Sequence, residues 1–420
     1  MIVKDVIFAP GMGAFFYDDQ AAIRAGRDTD GFVYLGAPIT PGFDTVRKPG
    51  TSLGIGLVLG QGTTAWGDMM SVQYAGAGGR DPLFDPVTAQ RLCEEVLLPR
   101  LNGLDVTDFR AACRVVLAAL PGGKRLPLSI EYGASQALLA AAAAARKVTM
   151  AEVVAAEFSC PVVARRVPIY AQSGDDRRNN VDKMILKSVD ILPHGLINSR
   201  SKFGERGEVF LEYVDWVARR VERLGQPAYK PVLHFDVYGW VGLGLGLDVD
   251  RIADFMAQAA ERAAPFDLQI ESPADFGSRQ GQIDGFIMIM EALARKGCRA
   301  KIVADEWCNT LDDVRAFTSA GAAHLIQIKM PDVGSIADSA EAVLLCKRHG
   351  IGAYLGGSCV ETDLSARIAV HIAVATGADM ILAKPGMGVD EAISIVGNEQ
   401  SRLLAELTRK EAANVRGQDH

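Results

Sequence analysis

The feature that most restricts the fold of this chain is a rhythm that starts at Pro168. Short apolar runs recur, most ending in a polar residue, with helical patterns between them. They are Pro168–Gln172, Ile191–His194, Val232–Asp236, Asp267–Glu271, Lys301–Asp305, Leu325–Lys329, Gly352–Gly356 and Met380–Ala383. Their ends lie 22, 42, 35, 34, 24, 27 and 27 residues apart. Each gap accommodates a crossover helix and the next strand, which is what joins parallel neighbours. Eight such repeats fit a (β/α)8-type barrel, and an open doubly wound sheet is the competing topology. The string GLGLGLD at Gly242–Asp248 lacks GxGxxG spacing and reads as a loop opening a helix near Val249.

The first ~160 residues read differently. Ser52–Gly60 is a short apolar run closed by a turn at Gln61-Gly62, with a Gly/Pro-rich stretch before it and a loop at Tyr74–Asp85 after it. Helical patterns follow over Val87–Leu101 and Asp108–Leu120, and Ala134–Arg146 is a strong helix former. Strands first and helices afterwards predict an α+β domain. A linker is expected near Ser159–Val167, dividing the chain into residues 1–160 and 161–420. With 420 residues, the chain exceeds the roughly 250–300 at which one core stops growing.

Composition narrows the partners. The formal net charge is −7 and there is no basic block, which speaks against nucleic acid as a main partner. The longest uninterrupted apolar run, Ala137–Ala145, is about half of what a membrane-spanning helix needs, and the start MIVKDVIFAPG lacks the features of a signal peptide. The seven cysteines are scattered, with no CxxC pair, as expected for a reducing cytoplasm without disulfides or a zinc site.

In a parallel barrel the chemistry lies at the C-terminal ends of the strands. Consecutive candidate strands here end in Asp236, Glu271, Asp305 and Lys329. Each acid alone reads as an ordinary strand-end residue. Three on neighbouring strands would repel one another unless a hard, oxygen-preferring cation joined them: Mg²⁺, with Mn²⁺ as the alternative. Lys329 shares a strand face with Gln327. It is either a neutralising partner for the acids or a base whose proton is more easily lost beside a metal. His194 ends the second strand, opposite Lys329. His234 has the inward parity of Asp236 and reads as a packed inner-layer residue. Gln172, Ser358 and Cys359 end or follow other strands, and Cys359 lacks a nucleophile signature. The combination is that of metal-assisted proton abstraction beside a carboxylate, the arrangement known for the enolase superfamily. Other reactions of that superfamily, or a non-catalytic metal- or anion-binding barrel, share part of it.

Longer strings are more specific. DDQAAIRAG, VQYAGAGGRDPLF, RKVTMAEV, AQSGDDRRNNVDKMI, LPHGLIN, HFDVYG, VADEWCNT, QIKMPDVG, GGSCVETD and LAKPGMGVDEA span essentially the whole chain. On these the sequence resembles the methylaspartate ammonia-lyase family of the enolase superfamily. The resemblance implies a capping domain on a barrel, Mg²⁺ with K⁺ as activator, a homodimer, and reversible loss of ammonia from 3-methylaspartate to give mesaconate. It implies Asp236, Glu271 and Asp305 as metal ligands and Lys329 as the base that removes the C3 proton of the (2S,3S) substrate. His194 would stabilise the intermediate from the other face and serve as base for the opposite C3 configuration. Gln172, His194, Gln327, Ser358 and Cys359 would contact substrate, and Gln73 would lie near the departing amine. Ser358 stands where the family pattern has Thr, so the contact keeps its hydroxyl and loses a methyl.

Overall fold

The computed structural model describes residues 1–418 apart from Gln61, Gly78 and Val163; the side chains of 414–418 are also outside the description. The expected turn at Gln61-Gly62 and the expected linker thus each include a residue outside the described ones.

The N-terminal part is a three-stranded antiparallel sheet with helices on one face. Its strands are β1 (Val3–Asp18), β2 (Arg47–Leu59) and β3 (Thr64–Met69), with β2 in the centre. The apolar run expected at Ser52–Gly60 is the second half of β2. Leu53, Ile55, Leu57 and Leu59, two apart, are all buried, as period-two patterning requires. The Ala-rich helix starts earlier than its composition suggests and covers Leu128–Arg146. It lies so close to β3 that a Cβ on Gly67 would meet the Gly133 carbonyl oxygen at 2.1 Å, so small residues at this crossing are obligatory. The next helix, Met150–Phe158, opens with a capping box in which Thr149 and Glu152 satisfy each other's backbone N–H groups.

The rest is a closed barrel of eight parallel strands, which decides against the open sheet. They are β4 (Ile169–Tyr170), β5 (Ile191–His194), β6 (Val232–Asp236), β7 (Leu268–Glu271), β8 (Lys301–Ala304), β9 (Leu325–Ile328), β10 (Gly352–Leu355) and β11 (Met380–Leu382). Closure comes from Ile381 and Leu382 pairing with Ile169 and Tyr170. All eight predicted runs are strands; several stop one or two residues earlier than the apolar pattern suggests. The GLGLGLD segment departs from the expected loop, since Trp240–Leu245 is a short helix. Gly246 and Leu247 then turn with positive φ, and Asp248 caps the helix Val249–Ala263. A separate buried cluster of Tyr170, Ile191, Val303, Leu325, Tyr354, Met380 and Leu382 fills the barrel. Among the described residues no helix is long and apolar enough to cross a membrane.

The N-terminal domain closes the C-terminal mouth of the barrel. Three polar contacts reach from it to loops that follow barrel strands. Arg80 Nε donates to Asp332 at 2.9 Å, Tyr132 Oη to Glu361 at 2.6 Å, and Thr362 Oγ1 to Asp68 at 2.6 Å.

Candidate active site

The three predicted acids converge. Asp236, Glu271 and Asp305 are buried, and each offers an oxygen within 4.8 Å of the others. Asp236 and Glu271 are the last residues of β6 and β7, and Asp305 directly follows β8. Just beyond each acid the backbone enters the left-handed region at a non-glycine residue: Tyr238 (φ 48°), Ser272 (φ 47°) and Trp307 (φ 64°). Such conformations are costly for side chains with a Cβ and persist where the surroundings enforce them. Here they turn the chain away directly after the ligand, leaving the carboxylates at the mouth.

The acids are not balanced by cations. Burial, and then the charges of Asp236 and Asp305, push the Glu271 carboxyl far above its ordinary range. Glu306, which sequence reasoning missed, lies half-buried beside them and accepts from Ser272 Oγ at 2.6 Å. Burial and the Asp305 charge raise its pKa to about 7. Against these four carboxylates stand Lys329 and Arg80, and Arg80 is already paired with Asp332 at 2.9 Å. An oxygen-only donor set with surplus negative charge in a dry site is what a hard divalent cation requires. The residues therefore fit Mg²⁺.

Other side chains orient the ligands. His234 is fully buried against Tyr170, with ring centroids 4.4 Å apart, and its Nε2 lies 2.8 Å from Glu271 Oε2. Burial, then the His194 charge, holds its pKa well below the usual value. When Glu271 is ionised, the neutral ring carries its proton on Nε2 and donates to it. The inner-layer residue expected from parity also orients Glu271. Gln327 donates its amide to the other Glu271 oxygen.

Lys329 caps the short helix after β9, and its Nζ donates to both Asp305 oxygens, at 2.9 and 3.0 Å. The sequence left two roles open for this Lys, a neutralising partner of the acids or a base that loses its proton more easily beside a metal. Burial is the largest influence and favours the neutral form, but the charges of Asp305, Asp332 and Glu306 together outweigh it and the pKa is raised. In the bare chain Lys329 is the counter-ion of Asp305. His194 sits four strands away in the eight-strand ring, across the mouth. Its Nε2 is 3.4 Å from Asp236 Oδ2 and 2.9 Å from the Gln172 amide. The Leu196 backbone N–H donates to its Nδ1 at 3.3 Å.

Ser358 and Cys359 lie on the loop after β10. The Ser358 N–H donates to Glu361 Oε2 at 2.7 Å, and Glu361 is itself held by buried Lys384 at 3.2 Å. Burial pushes the Cys359 thiol up to about 12, in keeping with a contact residue rather than a nucleophile. One cavity is lined by Gln172, His194, Asp236, Asp305, Gln327, Lys329, Ser358 and Cys359 from the barrel, together with Gln73 and Arg80 from the N-terminal domain. Arg80 and Glu306 lie inside strings that carried the family resemblance, VQYAGAGGRDPLF and VADEWCNT, but neither has a strand-end position to mark it.

Two family models match the chain. One described as the methylaspartate ammonia-lyase N-terminus covers residues 1–159, and one described as its C-terminus covers 161–409. Methylaspartate ammonia-lyase 1 of Carboxydothermus hydrogenoformans is 49% identical over 97% of this chain and 98% of its own length. The Citrobacter amalonaticus methylaspartate ammonia lyase containing (2S,3S)-3-methylaspartic acid superposes with a TM-score of 0.95. It is 45% identical and covers 97% of this chain and 100% of that one. The magnesium complex of β-methylaspartase from Clostridium tetanomorphum gives a TM-score of 0.93 at 45% identity, over 98% of this chain and 100% of that one. Muconate lactonizing enzyme from Pseudomonas fluorescens, 16% identical with a TM-score of 0.60 over 90% of this chain and 87% of that one, shares the fold alone.

Proposed function

This chain belongs to the methylaspartate ammonia-lyase family, and from that premise we propose that it catalyses the reversible elimination of ammonia from (2S,3S)-3-methylaspartate to give mesaconate. The observation that carries the reading is the convergence of three strand-end carboxylates with Lys329 on the neighbouring strand and His194 across the mouth. In this reading Asp236, Glu271 and Asp305 hold Mg²⁺, which, when bound, supplies positive charge for the substrate carboxylate next to C3.

The chain's own residues do the rest. Lys329 takes the C3 proton once Asp305 is engaged as a ligand and no longer holds the ammonium as its counter-ion. The electron pair of the C–H bond passes into the carboxylate as an enediolate. His194 stabilises that charge from the opposite face. The enediolate collapses, the C2–N bond breaks, and ammonia leaves beside Gln73. Gln172, Gln327, Ser358 and Cys359 fix the substrate so that only one C3 face meets Lys329.

The reading includes a capping domain over residues 1–160 and a barrel domain over 161–420, supported by family models that meet at 159 and 161. It includes K⁺ as a monovalent activator, carried by the family resemblance. A homodimer belongs to it as well; exposed Phe32, Val33, Leu35 and Ile39 are apolar residues a partner would cover. A cytoplasmic location is supported by seven free cysteines. The test is an absorbance assay for mesaconate with 3-methylaspartate as substrate and aspartate as control. No mesaconate from 3-methylaspartate in the presence of Mg²⁺ and K⁺ would refute the activity.

A further inference from the structure

The DDQ string at the end of β1 places two adjacent carboxylates in the N-terminal domain, and they do different work. Asp19 serves the local backbone. It accepts from the N–H groups of Ala22 at 3.2 Å and Thr40 at 2.9 Å and from Thr40 Oγ1 at 2.6 Å. Asp18 instead faces the cavity wall and is almost fully buried, its side chain 2% exposed. One oxygen accepts from Arg47 Nε at 2.7 Å, and the other accepts from Arg47 Nη2 at 2.9 Å and from Gln73 Nε2 at 2.8 Å. Arg47 is held in turn by the Phe32 carbonyl at 3.0 Å and stacks over the Phe32 ring, 4.1 Å from its centroid. The backbone adds a further tie, from the Asp18 N–H to the Gln73 carbonyl at 3.0 Å.

This arrangement fixes which end of the Gln73 amide the cavity meets. A carboxylate paired with Arg47 only accepts hydrogen bonds, so the atom of Gln73 facing it has to be the nitrogen. The amide oxygen is left, and among the described residues no group hydrogen-bonds to it. Gln73 lines the same cavity as Lys329 and His194. A fixed acceptor there suits an ammonium group and does not suit a carboxylate. The bond from Nε2 to a charged carboxylate also polarises the amide and makes its oxygen a stronger acceptor. The Asp18 charge is matched by Arg47, so the acceptor comes without a net charge that would hold the ammonium back from leaving.

We propose that Asp18 is a positioning residue for the amine end of the site: by pinning the Gln73 amide nitrogen it presents the amide oxygen to the amino group of the substrate, and to ammonia in the reverse direction. The proposal rests on the reading that Gln73 adjoins the departing amine, and the experiment separates the two. The amination of mesaconate is followed with the Mg²⁺-loaded full-length enzyme, varying ammonium chloride and mesaconate independently. Asp18→Asn is expected to raise KM for ammonia about tenfold, the loss of one charge-assisted orientation. KM for mesaconate is expected to stay within about twofold, since the carboxylate end is held by the barrel. On a Gln73→Ala background Asp18→Asn is expected to change KM for ammonia no further.

Asp18→Asn also leaves Arg47 without its counter-ion. The double variant Asp18→Asn/Arg47→Gln, which removes both charges, is therefore measured beside it together with thermal unfolding, and the ammonia-specific rise is expected to persist. If Gln73→Ala leaves KM for ammonia unchanged, the reading of Gln73 is wrong and the proposal goes with it. If Gln73→Ala raises that KM while Asp18→Asn and the double variant do not, the positioning role of Asp18 is overturned and Gln73 stands. Equal rises in both KM values, or an effect of Asp18→Asn that survives on the Gln73→Ala background, overturn it in favour of a general structural role.

Discussion

Two acidic clusters of this molecule lie at opposite electrostatic extremes. At the barrel mouth Asp236, Glu271, Asp305 and Glu306 are crowded together, and burial and mutual repulsion push Glu271 far up and Glu306 to about 7. On the C-terminal helix Glu399 meets only positive or chargeable partners: Arg402 at 2.7 Å, Arg367 at 3.2 Å and His371 at 3.3 Å. The hydrogen bond from His371, with those from the two arginines, brings its pKa down to about 2. A structural cluster is balanced by its own residues. The functional one is left short of positive charge, which a bound cation and a substrate ammonium can supply.

The comparison is most easily broken at the mouth. Chelation with EDTA should abolish mesaconate formation, and Mg²⁺ should restore it; full turnover by metal-free enzyme would show that the surplus charge needs no cation. Next in size, Lys329→Ala should lower kcat on (2S,3S)-3-methylaspartate by roughly 10²–10⁴-fold, as loss of a general base does. Wild-type initial rates in that variant would reduce Lys329 to a counter-ion of Asp305.

The buried pair Lys384–Glu361 supplies an intermediate case, balanced yet next to the site. Lys384→Met leaves Glu361 buried without its counter-ion and should cost about 3–5 kcal/mol in urea unfolding. A cost below 1 kcal/mol would mean that Tyr132 and the Ser358 N–H suffice for that carboxylate.

The two clusters should also respond to pH in opposite senses. The folded-state pKa of Glu306 is raised from 4.5 to about 7. Its stabilising contribution is complete below pH ~4.5 and is lost as pH rises through about 7, some 3 kcal/mol in the metal-free protein. Glu399 is depressed from 4.5 to about 2, so its contribution is present above pH ~4.5 and is lost as pH falls toward about 2. Because Glu399 is partly solvated, Glu399→Gln should cost only about 1 kcal/mol at neutral pH and leave kcat unchanged. Thermal melts of metal-free wild type, Glu306→Gln and Glu399→Gln across pH 2–8 read both effects. A shared pH trend would erase the distinction between the clusters.

The sequence by itself determined the barrel and its chemistry. Eight apolar runs at crossover spacing leave few topologies, and a strand's final residue is placed by the strand itself, so Asp236, Glu271, Asp305 and Lys329 were legible together as one series of strand ends, though not one by one. Residues whose role depends on what faces them were not. Arg80, Glu306 and Tyr132 look unremarkable in sequence because their partners Asp332, Ser272 and Glu361 lie on other loops. His234 could be assigned inward by parity, but its bond to Glu271 comes from the neighbouring strand's register, in which His234 pairs with Gln269 and Asp236 with Glu271. Which of its two roles Lys329 plays in the bare chain was undecided in the sequence for the same reason. Burial is readable from pattern, whereas the carboxylates of Asp305, Asp332 and Glu306 that together outweigh it are not. Periodicity and strand polarity act along the chain and are written in it. Electrostatic potential and hydrogen-bond pairing sum over neighbours in space, and only the tertiary fold decides who those neighbours are.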